Sequence, residues 1–80
     1  MQQVRFTRSA RRHRIGKAHA LYVMQTTVPT LIPGAGAVDD QLRWVGVDDR
    51  GLELEINAVV LPDRLLVIHV MPTNFRRRTP

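Results

Sequence analysis

Three histidines, two alternating glutamates and a set of arginines are the residues of this chain that could do chemistry. An imidazole exchanges protons near neutral pH, a carboxylate can orient it, and guanidinium groups hold growing negative charge, so the three types together supply acid–base chemistry on a phosphate. His13 sits among Arg11, Arg12 and Arg14, which would hold an anionic substrate within its reach. His69 lies between Ile68 and Val70 in an apolar run, while Glu53, Glu55 and Asn57 alternate with apolar residues and so share one face of an extended strand. With Arg43, these side chains could line a groove on a sheet, and Arg76, Arg77 and Arg78 would enter just after the last strand. The plain alternative is a solvated face with cross-strand ion pairs such as Arg43 with Glu55. His13 and His19 are six apart, which is not a same-face helical spacing, and no cysteine is present, so no metal site is expected. Phosphate-loop, dinucleotide, zinc-protease and serine-hydrolase motifs are also missing, and no cofactor is implied.

The elements that must position these residues follow from periodicity and breakers. Thr7 or Ser9 can cap a short helix running through Ile15, which Gly16 interrupts. Lys17 to Thr26 reads as a second, amphipathic helix with Ala18, Leu21, Tyr22 and Gln25 on its apolar face, widened by Ala20, Val23 and Met24; Val28 and Pro29 close it. Thr30 to Ile32 is a short extended piece, and Pro33 to Ala37 a protruding loop. A strand from Gln41 is followed by the turn Asp48-Asp49-Arg50-Gly51, and Leu52, Leu54, Ile56, Ala58 and Val60 then alternate cleanly. A second turn at Leu61 to Arg64 leads into a strand from Leu65 to Met71 that Pro72 stops. The register of this last hairpin stays open. If even-numbered residues face even-numbered ones, His69 lies opposite Asn57 with Glu55 nearby; a two-residue loop turns it into the core instead. The fold class implied is α+β, with two N-terminal helices packed on a three- to four-stranded antiparallel meander.

Eighty residues make one domain, here 1–80 with a basic tail at 75–80, and so short a chain buries only about 60% of its unfolded surface. A dimer or bound partner would therefore help. The net charge of +5 is unevenly spread. Arg5, Arg8, Arg11, Arg12, Arg14 and Lys17 precede any acid and Arg76, Arg77 and Arg78 stand in the tail, whereas the centre is mildly acidic. Such single-sign clusters fit a phosphate backbone or an acidic protein partner. No apolar stretch approaches the ~18 residues of a membrane span, and the lack of cysteine fits a cytoplasmic setting.

Three strings carry a family likeness: Phe6-Thr7-Arg8-Ser9-Ala10-Arg11-Arg12-His13-Arg14-Ile15-Gly16, then Trp44-Val45-Gly46-Val47-Asp48-Asp49-Arg50-Gly51, then Val67-Ile68-His69-Val70-Met71-Pro72-Thr73. In this order the chain resembles the BrnT-like toxins of bacterial type II toxin–antitoxin pairs, within the wider RelE-like ribonuclease group. The resemblance implies messenger RNA cleavage without metal, neutralisation by a cognate antitoxin, and operator DNA contacted only through the antitoxin complex. Carried over by position, it points to Arg43 and Trp44 of the first long strand, to Arg50 of the turn, and to Thr73, Asn74 and Arg76 after the last strand. The last strand departs from the family pattern, reading His69-Val70-Met71-Pro72 where a serine-alanine-arginine ending is usual.

The expectation is thus an endoribonuclease toxin with His69, His13, Glu55, Arg43 and Arg50 in the chemistry. Arg8, Arg11, Arg12, Arg14, Lys17, Arg76, Arg77 and Arg78 would grip RNA. The alternative is a non-catalytic nucleic-acid-binding module of the same fold.

Overall fold

The computed structural model describes residues 3–76. In chain order the elements are β1 (Gln3–Phe6), a 3-10 turn (Ser9–Arg11), α1 (Lys17–Thr26), β2 (Thr30–Ile32), β3 (Gln41–Val47), β4 (Glu53–Val60), β5 (Arg64–Pro72) and α2 (Thr73–Arg76). The strands form one sheet in the order β1-β5-β4-β3-β2, in which β1 runs parallel to β5 and every other pair is antiparallel. Among the described residues no helix is long and apolar enough to cross a membrane.

Two expectations about architecture are corrected. The molecule is α+β, but it has one ten-residue helix rather than an N-terminal pair, because the stretch through Ile15 closes only a three-residue 3-10 turn. Arg8, Arg11 and Arg12 fall at three- and four-residue spacing with no acid among them, and like charges at that spacing oppose helix growth. Arg14 then takes a left-handed φ of 58°, which a non-glycine residue adopts at a cost of about 1 kcal/mol and which redirects the chain toward α1. The sheet, in turn, has five strands and is mixed, not a three- to four-stranded antiparallel meander. The additional strand is Gln3–Phe6, which alternates exposed Gln3 and Arg5 with half-buried Val4 and Phe6.

The core lies between α1 and one face of the sheet. Leu54, Ile56 and Ala58 of β4, Trp44 of β3 and Val67 and Val70 of β5 meet Ala20 and Val23 of α1 there, all almost fully buried. Of the expected apolar face the helix buries the widening residues Ala20 and Val23, whereas Ala18 and Gln25 are exposed and Tyr22 remains 42% exposed. Gly46 of β3 lies so close to Thr27, just past the helix, that a Cβ there would meet Thr27 Cγ2 at 2.6 Å. In the β3–β4 turn Gly51 has a φ of 87°, the conformation its type allows.

Both candidate registers of the last hairpin occur, one after the other. The turn is the tight one, with the Leu61 amide donating to the Arg64 carbonyl at 2.9 Å, and Val60, Val59 and Ala58 pair with Leu65, Leu66 and Val67. Continued regularly, that pairing would set His69 against Ile56 in the core. Instead the ladder shifts by one between Asn57 and Ala58, so Ile68 is an extra residue in β5 and His69 pairs with Asn57. A β-bulge re-aims the histidine to the face away from α1.

Candidate functional site

On that second face the cross-strand row Arg43–Asn57–His69 places a cation, an amide and an imidazole side by side, with Glu55 one step along β4. Glu55 has no exposed surface although it is a carboxylate. Burying such a group costs several kcal/mol unless it is paired, and Arg43 supplies the partner, its Nη2 donating to Glu55 Oε2 at 2.8 Å. Oε2 also lies 3.8 Å from His69 Nε2, an ion-pair distance too long for a hydrogen bond. The cross-strand pair of Arg43 with Glu55 named under the plain alternative is therefore present, and His69 lies beside it.

His13 reaches the same place from the other end of the chain. After Phe6 leaves β1, the Thr7 amide and hydroxyl both donate to the Val67 carbonyl at 3.0 and 3.1 Å, and the Ser9 hydroxyl donates to the carbonyl of the bulge residue Ile68 at 2.9 Å. These bonds dock the basic segment along β5 just where β1 stops pairing. The His13 ring lies 6.4 Å from that of His69 and 5.2 Å from that of Phe75, nearly perpendicular to both. On the same side α2 is tied down by the Thr73 hydroxyl, which donates to Glu53 Oε1 at 2.6 Å.

The structure thus brings together His13, His69, Glu55 and Arg43, and leaves Arg8, Arg11, Arg12 and Arg14 exposed on the docked segment. Lys17 is exposed at the start of α1, its Nζ 5.8 Å from the Phe6 ring centroid. Arg50 is not part of the gathering. Its Nε and Nη2 donate to Asp48 Oδ2 at 3.1 and 2.8 Å within the β3–β4 turn. Trp44, another position carried by the resemblance, is a core residue. Arg77 and Arg78 lie outside the described residues, and Arg76 is described only as the last residue of α2. Phe75, whose ring packs beside His13, was hidden in sequence by the arginines that follow it.

A second polar cluster ties α1 to the β3–β4 turn. His19 Nδ1 lies 2.6 Å from Asp49 Oδ1, and with Asp48 these residues place ligand-type atoms within 4.8 Å of one another. Asp48, however, is committed: its carboxylate accepts from Arg50 and from the amides of Arg50 and Leu52. Burial alone would push this carboxyl up, but the Arg50 hydrogen bonds, the two amides and the guanidinium charge outweigh it and hold it below the ordinary aspartate range. The group acts as a turn clasp.

The chain matches no protein-family model, no curated protein and no solved structure. What the site can do is therefore set by its geometry.

Proposed function

We propose that this protein is a metal-independent endoribonuclease acting on messenger RNA, the toxin of a type II pair held in check by a cognate antitoxin. The observation that carries the catalytic part is the gathering of His13 and His69 from opposite ends of the chain, 6.4 Å apart, over the Glu55–Arg43 pair. Two imidazoles at that separation can address different oxygens of one phosphodiester, each at about 2.6–3.2 Å. One takes the proton of the 2′-hydroxyl as that oxygen attacks phosphorus; the other gives a proton to the departing 5′-oxygen, leaving a 2′,3′-cyclic phosphate and a 5′-hydroxyl. Glu55 is too buried to meet substrate and acts by positioning His69, while Arg43 keeps Glu55 in place. The exposed arginines of the docked segment hold the flanking phosphates. The toxin role and the antitoxin come from the resemblance of the three strings.

One observation favours a rival reading. His69 Nε2 is itself inaccessible to solvent, as it would be in a binding module that has kept the fold without the chemistry. Incubation with short single-stranded oligoribonucleotides in EDTA separates the two. Cyclic-phosphate products are expected, with His69→Asn slowing cleavage by roughly 10²- to 10⁴-fold and leaving affinity within a few-fold. Expression should arrest growth of a bacterial host, and the same substitution should relieve it. Intact RNA together with unaffected growth would overturn the proposal.

A further inference from the structure

We infer that Phe75 is a stacking platform for one unpaired base of the substrate, and that it makes the site selective for single-stranded RNA; this rests on the ribonuclease reading above. Of the four aromatic side chains other than histidine, Trp44 is buried in the core, Phe6 packs against that core, and Tyr22 lies on α1 in the opposite layer. Phe75 alone among them adjoins the histidine pair, and it is 44% exposed. The bond from Thr73 to Glu53 fixes the short helix that carries it. Its contact with His13 is perpendicular, at an interplanar angle of 84°, so the two rings form a corner. A perpendicular contact occupies one face or one edge of the phenyl ring and leaves a face for a planar ligand. A base laid on that face would hold its nucleotide beside the histidine pair. A base inside a duplex has both faces covered by its neighbours and cannot do this. Stacking is tolerant of base identity, so the selection is for strandedness more than for sequence.

The test uses short single-stranded 2′-O-methyl oligoribonucleotides, which cannot be cleaved, with the base removed at each position in turn. Affinity is read by fluorescence anisotropy. Wild-type protein should lose roughly 5- to 100-fold in affinity at one abasic position and little at the others. Phe75→Leu should bind the intact oligomer with that same loss and no longer distinguish the abasic one, and Phe75→Trp should restore discrimination. If wild-type protein binds the intact oligomer and Phe75→Leu binds it equally well, stacking is overturned, while the ribonuclease reading is decided separately by cleavage of unmodified RNA. If wild-type protein binds none of the oligomers yet cleaves unmodified RNA, stacking alone is overturned; if it neither binds nor cleaves, both fail.

Discussion

Arg43→Met should destabilise the protein far more than Glu55→Gln, although the two substitutions break the same ion pair. The asymmetry comes from where each partner sits: the Glu55 side chain is 1% exposed and the Arg43 side chain 36%. Removing the guanidinium takes from the buried carboxylate its 2.8 Å partner and puts an apolar methionine in its place, and breaking a buried pair by removing one member typically costs 3–5 kcal/mol. Water entering along the vacated, partly open Arg43 position lowers this to about 2–3 kcal/mol. Glu55→Gln strands only a cation that can still reach solvent, a case closer to the exposed-pair value of about 1 kcal/mol or less. A domain of this size has roughly 4–12 kcal/mol in total, so Arg43→Met consumes a large part of it and lowers Tm by about 10–20 °C. Trp44, the single tryptophan and 4% exposed, reports unfolding in urea by its fluorescence. In the double variant, glutamine's neutrality should recover most of what Arg43→Met lost. Equal costs for the two single variants, or a loss below 1 kcal/mol with no recovery, would mean that Glu55 is solvated in the native protein. His69 would then have no fixed support.

Asp48→Asn should cost about 1–3 kcal/mol, because an amide keeps acceptors for the loop N–H groups but turns a donor toward Arg50. Since the folded state holds the Asp48 carboxyl below its ordinary value near 3.9, its contribution is complete above that pH and fades as the pH falls through the lowered value. Urea titrations from about pH 6 down to pH 2 should accordingly show a shallower acid loss in Asp48→Asn than in wild type, and parallel curves would contradict the assignment. Gly46→Ala should cost about 1–3 kcal/mol by forcing apart the Thr27 contact at 2.6 Å, and Thr27→Ala in the same chain should recover much of it. Independent, additive losses in the two variants would place the crowding elsewhere.

Much of the scaffold is written in local pattern. The alternation from Leu52 to Val60 can be satisfied only by a strand with two unlike faces, and Gly51 marks the turn before it. Helix α1 runs over Lys17–Thr26 because nothing breaks it before the β-branched residues that precede Pro29. Its orientation could not be read the same way. Hydrophobicity favours Leu21 and Tyr22, but the residues buried against the sheet are Ala20 and Val23, and steric fit is a property of the pair of surfaces. Strand β1 escaped for a related reason. Four residues gain stability only by pairing with a strand about sixty positions away, and in sequence their alternation is submerged in arginines. At the site, Arg43, Glu55 and Asn57 follow from period two alone, whereas Phe75 carries no periodic signal at all.

The placement of His69 shows why the remaining ambiguity was physical. A hairpin loop fixes register only as far as the ladder stays regular. Here the tight loop at Pro62-Asp63 imposes one register and the extra residue Ile68 replaces it with the other within four pairs. The same residue performs a second task, since its carbonyl accepts the Ser9 hydroxyl that docks the arginine-rich segment. One inserted residue thus turns His69 outward and fastens the chain that delivers His13, so the two imidazoles are positioned by a common irregularity. Any local change that regularised β5 at Ile68 would disturb both together, which couples the geometry of the histidine pair to the integrity of one bulge, not to the sheet as a whole.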